Sequence, residues 1–193
     1  MAQDAVSTYK TIVIGGSAGS LDSMLRIIAG LPASKKFIVI VVLHRKNDTD
    51  SILTDLIRAR TRLAVREVED KEAIVPGTVY LAPPDYHLLI ENEQLFSLDT
   101  SERVHFSRPS IDVTFESVAE TFGERAIGIL LSGANADGAA GLEKIKHLGG
   151  FTIVQDPASA EVGFMPQQAI NRGAPNQVLL ADQIAAVVNN LLR

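Results

Sequence analysis

The chain has 193 residues, 46% of them apolar and 21% charged, with a net charge of −5; this predicts one globular domain with a full core and leaves no electrostatic footprint for nucleic acid or an anionic membrane surface. It contains no cysteine, which excludes disulfides, thiolate metal sites and a cysteine nucleophile. The N-terminal MAQDAVSTYK lacks the basic start and apolar stretch of a signal peptide, and the longest apolar run, Phe37 to Leu43, is too short to span a bilayer, so the expectation is a soluble, cytoplasmic protein.

Taken in chain order, Thr11 to Ile14 is a β-branched run that stops at Gly15-Gly16-Ser17-Ala18-Gly19, and Leu21, Met24, Leu25 and Ile28 then recur at helical spacing. A strand handing over to a helix places Ser17 at the carboxyl edge of a sheet, next to the unpaired N–H groups of the new helix. Gly15-x-Ser17-x-Gly19 fits the G-x-S-x-G turn in which small neighbours expose a nucleophilic hydroxyl, and it equally fits a plain tight turn or a phosphate-binding loop. The second strand, Phe37 to Leu43, ends at His44. From Leu63 to Ser107 the strands shorten around a Pro76-Gly77 turn, a Pro83-Pro84 turn and a hairpin near Glu91 to Glu93, which predicts an antiparallel excursion inside the domain. Arg108-Pro109-Ser110-Ile111-Asp112 opens a helix with the apolar stripe Ile111, Phe115, Val118 and Phe122. Ser110 there fits an N-cap and Asp112 a first-turn acid. Arg108 opposes the helix dipole, which suggests a contact to substrate or to another loop.

Strands at Ala126 to Leu131, Phe151 to Val154 and Val178 to Leu180 follow, with helices carrying Leu142 and Ile145 and then Ile184, Val187, Val188 and Leu191. This alternation predicts an α/β fold with a mostly parallel sheet buried on both faces and a short antiparallel hairpin, in a single domain spanning 1–193 with its core at about 10–182.

Ligands of such sheets gather at the carboxyl ends of strands, where the chain offers Ser17, His44, the Ser132 to Asp137 loop and Gln155-Asp156. His44 is the best candidate for a general base, with a loop histidine bonded to a backbone carbonyl as its plain structural role. His147 suits a helix C-terminus, and His87 and His105 read as half-exposed strand residues. Asp137 could orient the imidazole or cap a helix N-terminus; Asp156 is the competing acid, with turn initiation before Pro157 as its alternative. A dinucleotide site is disfavoured by the missing glycine triplet and by His44-Arg45-Lys46 at the end of the second strand, and no spacing suggests a metal or other cofactor.

With Ser17, His44 and Asp137 in that order, the sequence resembles the catalytic domain of the chemotaxis protein-glutamate methylesterases, the CheB family, over roughly residues 10 to 182. The matching blocks are IGGSAGSLD, VVLHR, VPGTVYLAPPDYH, SRPSIDVTFES, ILLSGANADGAAGL and GGFTIVQDPASAEVGFMPQQAI. The resemblance, not spacing, selects Asp137 over Asp156. It implies a doubly wound α/β fold, Rossmann-like, with Ser17 as nucleophile, His44 as general acid and base, Asp137 as orienting carboxylate, and Ala18, Gly133, Ala134 and Arg108 as oxyanion or substrate-binding positions. The implied reaction is hydrolysis of glutamate γ-methyl esters on the cytoplasmic helices of chemoreceptors, with glutamine deamidation as a second activity and no cofactor. Two other readings remain open: a serine esterase or amidase with a different substrate, or a non-catalytic domain that binds receptors or partners. The chain departs from the family at Gly133-Ala134-Asn135, where Gly-Met-Gly is usual, and at Ser20, where glycine is common. With only about ten residues before its first strand, it leaves no room for the family's usual receiver domain, so a standalone domain, open or governed by a separate protein, is expected.

Overall fold

The computed structural model describes residues 9–45 and 50–193. In chain order the elements are β1 (Lys10–Gly16), α1 (Leu21–Ala29), β2 (Phe37–Leu43), α2 (Asp50–Arg58), β3 (Ala64–Glu67), β4 (Thr78–Leu81), β5 (His87–Glu91), β6 (Leu95–Asp99), α3 (Ile111–Phe122), β7 (Ala126–Leu130), α4 (Ala139–His147), β8 (Phe151–Gln155), α5 (Phe164–Asn171), β9 (Gln177–Leu179) and α6 (Ala181–Leu191). Seven strands form one sheet in the order β3-β4-β2-β1-β7-β8-β9, and every pairing in it is parallel. β5 and β6 form a separate antiparallel pair.

Burial on both faces follows from the unbroken apolar strands. In β2, Ile38, Ile40 and Val42 join a core with α3, α4, α5 and the β5–β6 hairpin. Phe37, Val39, Val41 and Leu43 join the opposite core, with α1, α2 and α6. The doubly wound architecture is therefore as expected, as are the buried stripe of α3 and the hairpin about Asn92-Glu93. Leu21 departs from its predicted stripe: it opens α1 at an exposed position.

The region from Leu63 to Ser107 corrects the expectation of one antiparallel excursion. Ala64–Glu67 and Thr78–Leu81 instead extend the main sheet in parallel, and only the β5–β6 pair is antiparallel. All four residues of TVYL are buried, as a strand covered on both faces requires, whereas AVRE alternates as an edge strand does. Four-residue strands carry too little local signal to reveal which partner they choose.

From β1 the chain moves outward through β2 to β4 and β3, then returns to β7 on the other side of β1. The switch point thus lies between β1 and β7, where an open α/β sheet leaves a crevice at its carboxyl edge. α3 crosses close to β1 because Gly15 has no side chain: a Cβ there would lie 2.4 Å from Ile111 Cγ2 and 3.0 Å from Phe115 Cζ. Gly15→Ala should therefore lower stability by about 1–3 kcal/mol through overpacking, read as a lower urea midpoint at unchanged m-value.

Candidate active site

Ser17 and His44 reach the carboxyl edge on neighbouring strands. Gly16 pairs with Leu43 at the ends of β1 and β2, and the His44 N–H continues the ladder to Gly16 O at 3.3 Å; the two residues thus follow strands about 4.8 Å apart. The Ser17 amide donates to Ser132 O at 2.9 Å, tying the turn to the exit of β7. Ser132 adds a second tie, its hydroxyl donating to Ala18 O at 2.7 Å while accepting from the Val162 amide at 2.9 Å. Ser20, the departure noted in the sequence, has a local job: its amide and hydroxyl both donate to Ser17 O, at 3.1 and 2.7 Å. Gly19 turns the chain with φ +74°, and a Cβ there would meet Glu161 Cβ at 2.5 Å.

Asp137 is fully buried, and its carboxylate accepts four hydrogen bonds. Oδ2 receives His44 Nε2 and the Ile111 amide, each at 2.7 Å. Oδ1 receives the Ser110 hydroxyl and the Asp112 amide, each at 2.9 Å. Two of the donors are first-turn amides of α3, so Asp137 serves both roles raised for it: it meets the imidazole and it satisfies a helix N-terminus, that of α3 rather than of α4, which it precedes. Burial pushes the Asp137 carboxyl up, but the bonds from His44, Asp112 and Ile111 outweigh it and hold the group below its ordinary range. A Nε2–H tautomer of His44 donates to this carboxylate and leaves Nδ1 as its basic nitrogen.

The Gly133 amide donates to Val162 O at 3.0 Å, and Met165 packs where a Gly133 side chain would lie. Ala18 and Ala134 are exposed at the rim, and among the described residues their amides have no acceptor. Arg108 braces its own loop through Nη1, which donates to Thr100 O and Ser101 O, each at 2.8 Å. Asn135, in place of the usual glycine, accepts from the Asp137 amide at 3.1 Å and donates to His105 O at 3.3 Å. Asp156 accepts from the Ala158 amide at 2.9 Å, the turn-initiating role, and Gln155 accepts from Ser132 N at 3.1 Å.

Three contributors were missed in the sequence. Ser110 donates to Asp137 as well as capping α3 through the Val113 amide; the N-cap pattern concealed the second bond. His87 is buried, not half-exposed: its Nδ1 accepts from the Ser110 amide at 3.1 Å and its Nε2 donates to Glu102 O at 2.8 Å. Arg45 holds the segment after β2 through Glu67 at 2.5 Å and Ala82 O at 3.1 Å. His105 lies on an exposed turn rather than a strand.

Ligand atoms of His105, Asp112 and Asp137 lie within 4.8 Å of one another, a spacing compatible with a cation. The four donors on Asp137 already occupy its acceptor positions. Asp112 accepts from the Gly141 amide at 2.6 Å and meets His105 Nε2 at 3.1 Å, so the cluster reads as a hydrogen-bond network. Burial, with Asp137 nearby, raises the Asp112 carboxyl even against the Gly141 bond.

Together these features define a parallel α/β domain that gathers a serine, a histidine and a buried aspartate at the switch point of its sheet. The chain belongs to the CheB methylesterase family, whose sequence model matches residues 12–188. A Leptospira interrogans protein, provisionally named a protein-glutamate methylesterase/protein-glutamine glutaminase, is 44% identical over 92% of both chains. Proteins named for the same two activities from Halobacterium salinarum and Pseudomonas aeruginosa are 35% and 36% identical, over 95% and 97% of this chain. The chain spans 54% of the length of each of those two relatives. The crystal structure of the Thermotoga maritima CheB methylesterase catalytic domain superposes with a TM-score of 0.90 at 34% identity, covering 95% of this chain and 98% of that one.

Ser110→Ala removes one donor from Asp137 and the cap of α3, and should cost about 1–2 kcal/mol. The sign with pH follows from the lowered Asp137 carboxyl: its stabilising contribution is complete above the ordinary carboxylate range and is lost as pH falls through the depressed folded value. In the variant that folded value moves back up, so the contribution shrinks. Urea unfolding across the acid range, with carboxyl titration by NMR, reads both effects.

Proposed function

We propose that this chain is a serine esterase that hydrolyses glutamate γ-methyl esters on the cytoplasmic helices of chemoreceptors, and that it works in the cytoplasm. The observation that carries the reading is His44 Nε2 on the buried Asp137 carboxylate at 2.7 Å, with Ser17 at the end of the adjoining strand, in a chain whose relatives are named for this activity. Among the described residues no helix is long and apolar enough to cross a membrane, in keeping with action on the soluble part of a receptor.

Each step has a group to perform it. As Ser17 Oγ attacks the ester carbonyl, His44 Nδ1 takes its proton and Asp137 stabilises the imidazolium. The oxyanion is received by the Ala18 amide and the open amide of Ala134, with the N-terminus of α1 adding its positive end. Collapse expels methanol, protonated by His44. Water, deprotonated by the same imidazole, then releases the glutamate side chain and restores Ser17. Glutamine deamidation follows the same course with ammonia leaving. Gly133 and Arg108 shape the rim, Gly133 by admitting Met165 and Arg108 by holding its loop.

The test is methanol release from methylated receptor membranes. Ser17→Ala and His44→Gln should each lower kcat by at least about 10³-fold, and Asp137→Asn by a comparable factor, because the imidazole loses the acceptor that sets its tautomer. A Ser17→Ala protein that still releases methanol at the wild-type rate would overturn the assignment.

A further inference from the structure

Val104 and Ser107 exchange backbone hydrogen bonds at 3.1 and 2.9 Å, closing a two-residue turn around His105 and Phe106. Both central residues have positive φ, 50° and 62°, the conformation of a turn type that favours Asn-Gly. A bulky aromatic there is an outlier, and Phe106 is also 94% exposed. An unfavourable backbone thus holds up an apolar ring that packs on nothing in the fold, and such outliers persist where the surroundings over-determine them, commonly at ligand-contacting positions.

Here the surroundings are the candidate active site itself. Asn135 Nδ2 donates to His105 O at 3.3 Å, and the same side chain accepts from the Asp137 amide. His105 Nε2 meets Asp112 Oδ2 at 3.1 Å, and the Asp112 amide donates to Asp137. Arg108 secures the base of the loop at Thr100 and Ser101. The frame that holds the Asp137 carboxylate therefore also sets the position of Phe106. Among the described residues the exposed aromatic side chains are Tyr86, Phe106 and Phe164. The other two belong to the same edge: Tyr86 follows Asp85, whose amide donates to Arg108 O, and Phe164 precedes Met165, whose amide donates to Gly133 O.

We propose that Phe106 is a substrate-docking residue: its ring inserts between apolar side chains on the helix that carries the reactive glutamate ester and so sets which glutamate reaches Ser17. An aromatic presented by a rigid turn supplies much contact area at little entropic cost, as anchor residues of interfaces do. This rests on the methylesterase reading above.

Phe106→Gly tests it, because glycine accepts the turn's φ and no packed contact is lost. The variant should melt at or above the wild-type temperature. The ratio of its kcat/KM on methylated receptor membranes to that on p-nitrophenyl acetate should fall by about tenfold or more, through KM, and Phe106→Trp should recover most of it. An unchanged ratio, or equal losses on both substrates, would overturn the docking role while leaving the esterase intact. Wild-type protein that cleaves the small ester but releases no methanol from receptors would instead overturn the receptor reading, and this inference with it.

Discussion

One buried carboxylate organises this molecule. Asp137 is removed from water, which disfavours its charge, and the surrounding donors reverse that penalty: a histidine, a serine hydroxyl and two amides at the start of α3. An ionised carboxylate with two donors on each oxygen has little freedom to move. The loop after β7, the start of α3 and the segment after β2 are therefore held to a common point, and the orientation of His44 is a consequence of that arrangement.

The packing around this point is reciprocal. Asp137, just ahead of α4, satisfies the first amides of α3; Asp112, in the first turn of α3, accepts from Gly141 in α4. The two helices lie close enough that a Cβ on Gly141 would come within 2.6 Å of Phe115 Cβ. Gly15 admits α3 against β1 in the same way, so small residues in β1 and α4 set how near the donors of α3 come to Asp137. Behind them His87 fixes the Ser110 amide from the hairpin side. The small antiparallel pair, a sheet separate from the parallel one, thereby supports the site.

The turn that carries Ser17 is held by a different set of bonds. Ser132 binds it from just beyond β7, Ser20 pins the Ser17 carbonyl from the N-cap of α1, and Gly19 leaves the space that Glu161 occupies. These contacts leave the amides of Ala18 and Ala134 open at the edge. The rim beyond them carries the exposed aromatic residues and the Asn135 bridge. Hydrogen bonds thus fix the base of this edge, and apolar side chains stand exposed at its rim.

The alternation of buried strands and amphipathic helices, the placement of Ser17 and His44 at strand ends, and the family are all legible along the chain, because each is written in local periodicity or in contiguous motifs. The bonds that join Ser132 to Ala18, Ser110 to Asp137 and His87 to Ser110 cross 114, 27 and 23 residues, and no local pattern encodes such partners. For the same reason β3 and β4 could not be assigned to the main sheet from short runs alone, and Asp137 could not be separated from Asp156 by spacing. The family motif picks out Asp137, whereas the strand partners and the donors around that carboxylate come from the fold, since a carboxylate's partners are set by which helix ends and loops packing brings to it, and packing is a property of the whole chain.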